Sequence, residues 1–146
     1  MQVTRRQSRE WAVQMLTAAD LNPPENVEEF IVSFFSQVNS LDKEDGGLGF
    51  EIDGKSIEFA AERVRGVLAA KDELDAKISS FLEDWNLSRL GTVERAVLRL
   101  GAWELSNSDV PKAVVINEAI DLTKYFASSR SRSIVNGVLD KYAKES

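Results

Sequence analysis

The sequence predicts an all-α protein, a compact bundle of about seven helices in a single domain with two helical subdomains. Apolar residues recur at spacings of three and four along most of the 146-residue chain, which places them on one face of each helix. Prolines and clusters of Asn, Asp, Ser and Gly separate these stretches and mark helix ends. Amphipathic helices joined by short links must bury their apolar faces against one another, and this requirement favours a bundle.

Two helices are predicted at the start of the amino-terminal subdomain, which covers residues 1–86. The first covers residues 4–19, with Thr4 and Gln7 in the spacing of a capping box. The second follows a Pro-Pro turn and ends near residue 41. Their apolar faces consist of Trp11, Ala12, Met15, Leu16 and Ala19, and of Val27, Phe30, Ile31, Phe34 and Val38.

Two further helices complete this subdomain. One covers residues 56–70, with Ser56 as its N-cap, and the other covers residues 71–86. Their apolar faces consist of Ile57, Ala60, Ala61, Val64, Val67 and Leu68, and of Leu74, Ile78, Phe81, Leu82 and Trp85.

The carboxy-terminal subdomain, residues 87–146, contains three predicted helices. Pro111 ends the first, because a proline disfavours helical geometry in the residue before it. A polar connection at residues 128–133 separates the second from the third. The three apolar faces are Val93, Ala96, Val97, Leu100 and Trp103; Val115, Ile116, Ala119, Ile120 and Thr123; and Ile134, Val135, Val138, Leu139 and Tyr142.

Composition argues against several classes of function. The chain has no Cys and no His, so it lacks thiolate chemistry, disulfides and the commonest general base and metal ligand. No apolar run approaches the roughly 20 residues of a membrane-spanning helix. We therefore expect a cytoplasmic protein that is not an enzyme, with no cofactor, no metal site, no catalytic residues and no membrane partner.

The charge is unevenly distributed along the chain. The net charge is −6, but residues 1–13 and residues 111–146 each carry a net +2, whereas residues 14–110 carry −10. Salt screens fields beyond about 8–10 Å, so a basic segment can bind phosphate although the whole chain is acidic. The acidic middle is compatible with a basic protein partner.

The first two turns of the first helix, residues 4–10, carry three arginines, and we call them the arm. No apolar residue precedes Trp11 in this helix, so we expect the arm to project from the body. Arg5, Arg6 and Arg9 are then available to phosphates, and Gln7 to bases or sugars. The alternative is a solvated, frayed terminus with incidental charge.

A second basic segment is the connection at residues 128–133. Arg130 and Arg132 lie there among four serines, just before a helix, and helix amino termini favour anions. These arginines are predicted to extend a phosphate-binding track, and the alternative is a solvated loop. Tyr125, shortly before them, is a candidate for stacking on a base.

Residues 49–56 fit the phosphate-binding pattern G-x-x-x-x-G-K-[ST], with Gly49, Gly54, Lys55 and Ser56 at the defining positions. Such a loop normally follows a buried strand, but the residues before it are acidic and polar. A nucleotide-binding protein is therefore a minor alternative, and a loop between two helices is the expected reading.

Five segments resemble the NusB family of transcription antitermination factors. They are RRQSREWAVQML near the amino terminus, followed by VERAVLRLGAWEL, DVP, INEAIDLTKYF and IVNGVLDKYA. The resemblance implies a NusB-like helical fold and an arginine-rich RNA-binding arm at the position of Arg5, Arg6 and Arg9. It also implies binding to single-stranded boxA-type RNA of ribosomal RNA transcripts, together with a NusE-type small-subunit ribosomal protein, in the RNA polymerase antitermination complex.

The resemblance also provides candidate partner contacts. Glu94 and Arg99 match the family motif near the NusE-type contact, and Phe126 matches an aromatic position of the family. From the residues alone, Glu94 and Arg99 are surface charges on an amphipathic helix.

An alternative within the same resemblance is the related module of RNA cytosine methyltransferases. The sequence contains no Gly-rich cofactor domain, so this alternative requires a longer chain or a separate catalytic subunit.

Overall fold

A computed structural model of the protein describes residues 2–44, 52–82, 86–124 and 128–145, and these contain seven α-helices and no extended β-strand. The predicted all-α class is therefore confirmed. The helices are α1 (Arg5–Leu21), α2 (Val27–Glu44), α3 (Gly54–Ala69), α4 (Lys71–Ser80), α5 (Thr92–Asn107), α6 (Lys112–Thr123) and α7 (Ser129–Lys144), with a short 3-10 turn at Leu87–Arg89. None of the helices in these ranges is long and apolar enough to cross a membrane.

The chain divides into two compact units, Met1–Arg65 and Gly66–Ser146. The division lies inside α3, whereas the sequence predicted a boundary near residue 86. The reason is that α4 packs against α5 and α7, so it belongs with the carboxy-terminal helices.

In the first unit, helix caps and an aromatic contact fix the local structure. The Thr4 hydroxyl accepts a hydrogen bond from the Gln7 amide at 3.0 Å, as the capping-box spacing predicted. Trp11 of α1 and Phe35 of α2 meet edge to face, with ring centroids 5.6 Å apart. Phe35 is buried, whereas Phe34, which the pattern assigned to the core, is only half-buried. The apolar face of α2 is thus rotated from its predicted position.

A charged contact joins α2 to α3 at the surface of the same unit. Arg65 donates from Nε and Nη2 to the two carboxylate oxygens of Glu28 at 2.7 and 2.8 Å, and from Nη1 to Glu58 at 2.8 Å. The hydrogen bonds from Arg65 lower the pKa of the Glu28 carboxyl below its ordinary value.

The central helix of the second unit is α5, against which α4, α6 and α7 pack. All ten of its residues from 96 to 105 are buried, including Arg99 and Glu104. The sequence pattern predicted one apolar face, but a helix with neighbours on several sides is buried all round. Small residues permit this close packing, since a Cβ added at Gly66 would lie 2.2 Å from the Trp103 indole.

Several predicted helix ends differ from those observed. The fourth helix, α4, ends at Ser80 rather than near residue 86, and Gly91 directly precedes α5. The last helix begins earlier than predicted, because Ser128 caps it by accepting a hydrogen bond from the Ser131 amide at 3.2 Å. A local polar residue thus starts the last helix earlier than the apolar pattern alone predicted.

Candidate RNA interface

The arm does not project from the body as predicted. Arg5 and Arg6 are exposed, and Gln7 is half-buried, but Arg9 is only 4% exposed. Ser8, which follows Gln7, is fully buried. The first two turns of α1 therefore lie against the first unit, and only the outer part of the arm faces solvent.

Arg9 is buried because α3 provides an aromatic residue for the arm. The guanidinium carbon of Arg9 lies 5.2 Å from the centroid of the Phe59 ring, and that of Arg5 lies 4.3 Å from it. Arg63, one turn further along α3, lies 3.5 Å from the same centroid. We call these four residues the Phe59 cluster. Its ring attracts all three cations through its quadrupole.

Arg63 also anchors the Phe59 cluster to α3. It is 4% exposed, and its Nη1 donates to the Phe59 carbonyl at 3.3 Å and lies 3.7 Å from the Glu62 carboxylate. Two of the three guanidinium groups are therefore held inside the unit, and the exposed one belongs to Arg5.

The start of α3 argues against the nucleotide-binding alternative. The Asp53 carboxylate accepts a hydrogen bond from the Ser56 amide at 2.7 Å, so Asp53, not Ser56 as predicted, is the N-cap. Hydrogen bonds from the Ser56 backbone and side chain lower the pKa of Asp53, with a smaller contribution from Arg5. The Ser56 amide is thus already hydrogen-bonded to a carboxylate, and Ser56, whose hydroxyl would have to reach Mg²⁺, is buried. Gly49 lies outside the described residues.

The second basic segment lies on a helix rather than in a loop. Arg130 and Arg132 belong to the first turn of α7, where Arg130 is exposed and Arg132 is half-buried. Both are in the second unit, and the arm is in the first. Tyr125 and Phe126 lie outside the described residues, so their predicted roles stay predictions.

Glu94 has a local structural role at the start of α5. Its carboxylate accepts a hydrogen bond from the Gly91 amide at 3.0 Å, across the first turn of the helix. An acidic side chain here also interacts favourably with the helix dipole. Glu94 is half-buried, so part of the side chain is accessible to a partner.

The prediction that Arg99 is a surface charge is wrong. Its side chain is 7% exposed, and it forms a two-pronged ion pair with Asp75 of α4, with Nε–Oδ1 at 2.8 Å and Nη2–Oδ2 at 3.0 Å. The spacing rule placed Arg99 outside the apolar face of α5, but α4 covers that side of the helix. The geometry assigns Arg99 to holding two helices together.

Sequence reasoning missed Phe59 and Arg63. The sequence does contain a signal for each half of the Phe59 cluster. Arg5 and Arg9 are four residues apart and share one face of α1. Phe59 and Arg63 have the same spacing and share one face of α3. The missing information was that these two faces meet. In the described ranges, no group of three or more carboxylate, Cys or His side chains is arranged to hold a metal ion.

Comparison with known proteins identifies the family. A family model described as the NusB family matches residues 6–144. The transcription antitermination protein NusB of a Nitratiruptor species is 37% identical over 142 residues, which are 97% of this chain and 93% of that protein. The protein of the same name from Wolinella succinogenes is 38% identical over 137 residues, 94% of this chain and 92% of that protein.

Solved structures agree with these sequence relatives. NusB of T. maritima superposes with a TM-score of 0.81 at 34% identity, covering 99% of this chain and 94% of that one. A crystal structure of antitermination factors NusB and NusE in complex with dsRNA superposes with a TM-score of 0.78 at 28% identity, covering 97% of each chain. Since the family model and the relatives span nearly the whole sequence, this chain belongs to the NusB family.

Proposed function

We propose that this protein is a non-enzymatic, cytoplasmic RNA-binding adaptor in transcription antitermination. It binds boxA-type RNA of ribosomal RNA transcripts together with a NusE-type small-subunit ribosomal protein, within the RNA polymerase antitermination complex. The observation that carries the proposal is the pair of exposed arginines, Arg5 and Arg6, at the start of α1 in a chain of the NusB family. A similar NusB has been crystallised with NusE and RNA, which supports both proposed partners.

The proposed RNA contacts follow the exposure of the candidate residues. Arg5 and Arg6 bind phosphates, because both are exposed cations that can reach a backbone. Gln7 is half-buried and contacts RNA only through the exposed part of its side chain. Arg9 is buried, so it holds the arm against α3 and does not contact RNA. Arg130 is a further phosphate contact, with the half-buried Arg132, and Tyr125 stacks on a base.

The proposed partner surface includes Glu94 and Phe126. Glu94 is half-buried while it caps α5, so part of the residue stays accessible to a partner. Arg99 is left out of this surface, because its guanidinium is buried against Asp75.

Two alternatives are less well supported. Nucleotide binding by residues 49–56 conflicts with the Asp53 carboxylate that caps α3. The second alternative is the module of an RNA cytosine methyltransferase. The two relatives compared above match this chain over more than 90% of their own length, and both are named antitermination proteins rather than methyltransferases.

The proposal is tested by measuring the affinity for labelled boxA-type RNA with and without the NusE-type protein. Three to five phosphate contacts give a slope of roughly −2 to −3.5 for log affinity against log salt concentration on a single strand. The double variant R5A/R6A should bind RNA more weakly and with a shallower slope. Because a structural neighbour contains dsRNA, the same sequence should be measured in single-stranded and double-stranded form.

The matched control removes two exposed positive charges elsewhere. Arg89 and Lys144 are both exposed and lie in the second unit, so R89A/K144A lowers the net charge by the same amount. If both double variants weaken RNA binding equally, the arm has no specific role. If neither form of RNA binds in the presence or absence of the NusE-type protein, the proposed function is wrong.

A further inference from the structure

The Phe59 cluster places one accessible guanidinium on a buried support. Arg9 and Arg63 are each 4% exposed, Phe59 is half-buried, and Arg5 is exposed. The distances to the ring centroid are 3.5 Å for Arg63, 4.3 Å for Arg5 and 5.2 Å for Arg9. A guanidinium within about 6 Å of an aromatic centroid is attracted by the ring. The exposed end of the arm therefore contacts α3 through the Phe59 ring.

We infer that Phe59 is a positioning residue for RNA binding: its ring holds the Arg5 guanidinium against α3, ready to meet a phosphate. This inference rests on the proposed function, because it assumes that Arg5 contacts RNA. Phe59 itself does not bind a base in this arrangement, since three guanidinium groups already surround its ring.

The contact with Phe59 favours RNA binding by restricting the conformations of the Arg5 side chain before RNA arrives. A free arginine side chain populates many rotamers and loses this freedom when it binds a phosphate. A guanidinium that already lies against an aromatic ring, as that of Arg5 does, loses less of this freedom. Arg6, the other exposed arginine of the arm, lies on the same helix next to Arg5 and serves as the control position for substitutions.

The two buried arginines, Arg9 and Arg63, hold the Phe59 ring and the arm in contact with each other. Arg63 is fixed to its own helix by the hydrogen bond to the Phe59 carbonyl at 3.3 Å, and this bond also restrains the backbone that carries the ring. Arg9, one turn after Arg5, brings the arm into contact with the same ring. Losing Phe59 should therefore release Arg5 while the apolar contacts of α1, centred on Trp11, persist.

The test compares Phe59→Leu with Phe59→Tyr, each measured by titration of labelled boxA-type RNA over a range of salt concentrations. Leucine keeps an apolar side chain but has no ring face, and tyrosine keeps the face. We expect F59L to weaken RNA affinity about two- to fivefold, the size of one cation–π contact at an exposed site. The salt slope should become shallower by about 0.7, the value of one lost phosphate contact on a single strand. F59Y should bind as the natural protein does.

Double variants test whether the effect passes through Arg5. In an R5A background, F59L should cause no further loss of affinity or slope, whereas in an R6A background it should cause its full loss. A purely structural role for Phe59 would lower the thermal unfolding temperature and leave the salt slope unchanged. If F59L does not fold, as judged by circular dichroism, Phe59→Met, which fills the space better, replaces it.

The outcomes distinguish a failure of the proposed function from a failure of the role inferred for Phe59. If R5A binds RNA like the natural protein, the role of Arg5 in the proposed function is wrong, and the inference falls with it. If R5A weakens binding but F59L does not, or if the losses of F59L and R5A add, Phe59 does not position Arg5 and only the inference is overturned.

Discussion

Arg99 provides the sharpest test of how the second unit is stabilised. Its guanidinium forms two hydrogen bonds with Asp75, at 2.8 and 3.0 Å, and the side chains are 7% and 25% exposed. Breaking a fully buried pair costs about 3–5 kcal/mol, whereas exposed pairs contribute about 0.2–1 kcal/mol. Because Asp75 retains access to water, we expect Arg99→Met to lower the free energy of unfolding by about 2–3 kcal/mol, between these limits.

A double-mutant cycle with Asp75→Asn isolates the pair itself. Urea unfolding, followed by circular dichroism, should be measured for R99M, D75N and the double variant. The double variant should recover about 1–2 kcal/mol relative to the sum of the single changes, since it leaves no unpaired charge at the contact.

The same experiment decides between a structural and a partner-binding role for Arg99. If R99M unfolds within about 0.5 kcal/mol of the natural protein and still loses the NusE-type partner, the structural assignment is wrong. If R99M is destabilised but binds the partner normally at a temperature where it is folded, the side chain acts only within the fold.

Other predictions concern packing and surface charge. Gly66→Ala places a methyl group 2.2 Å from the Trp103 indole and should destabilise the protein by about 1–3 kcal/mol in urea unfolding, with a changed tryptophan fluorescence. Gly137→Ala, where nothing lies within 4 Å, is the control and should stabilise by about 0.5–1 kcal/mol, because glycine is a poor helix former. Arg65 lowers the Glu28 pKa, so this contact stabilises the fold above the unfolded pKa of about 4.3 and is lost as pH falls through the lowered value. Glu28→Gln should remove that part of the acid dependence, and an NMR titration that places the Glu28 pKa at its ordinary value would contradict the contact.

Local signals predicted most of the fold. The helices follow from apolar spacing, and the start of α1 follows from Thr4, whose hydroxyl caps it as expected. Errors occurred where a local pattern depends on the neighbouring helices. The face of α2 includes Phe35 rather than Phe34, and α5 is buried on every side, because packing partners define which faces are covered.

The candidate site was less predictable because it depends on contacts between distant residues. The sequence identified Arg5, Arg6 and Arg9 as a group, but it contained no information that α3 would bury Arg9. The partner of Arg99 is Asp75, 24 residues earlier in the chain, and no periodicity connects the two. Charge composition predicts how many cations a segment carries, whereas tertiary packing determines which of them reach a ligand.

This distinction changes the expected salt dependence of RNA binding. Three accessible arginines in the arm would contribute a slope of about −2, but the burial of Arg9 leaves two, which contribute about −1.4. If Arg130 and Arg132 also contact phosphates, the slope for the isolated protein becomes steeper, at about −2.8. A slope near −1.4 therefore assigns RNA binding to the arm alone. A slope near −2.8 that falls to about −1.4 in R130A/R132A indicates that the start of α7 shares the RNA. In both cases the measured slope counts the cations that the fold leaves exposed, not those that the sequence contains.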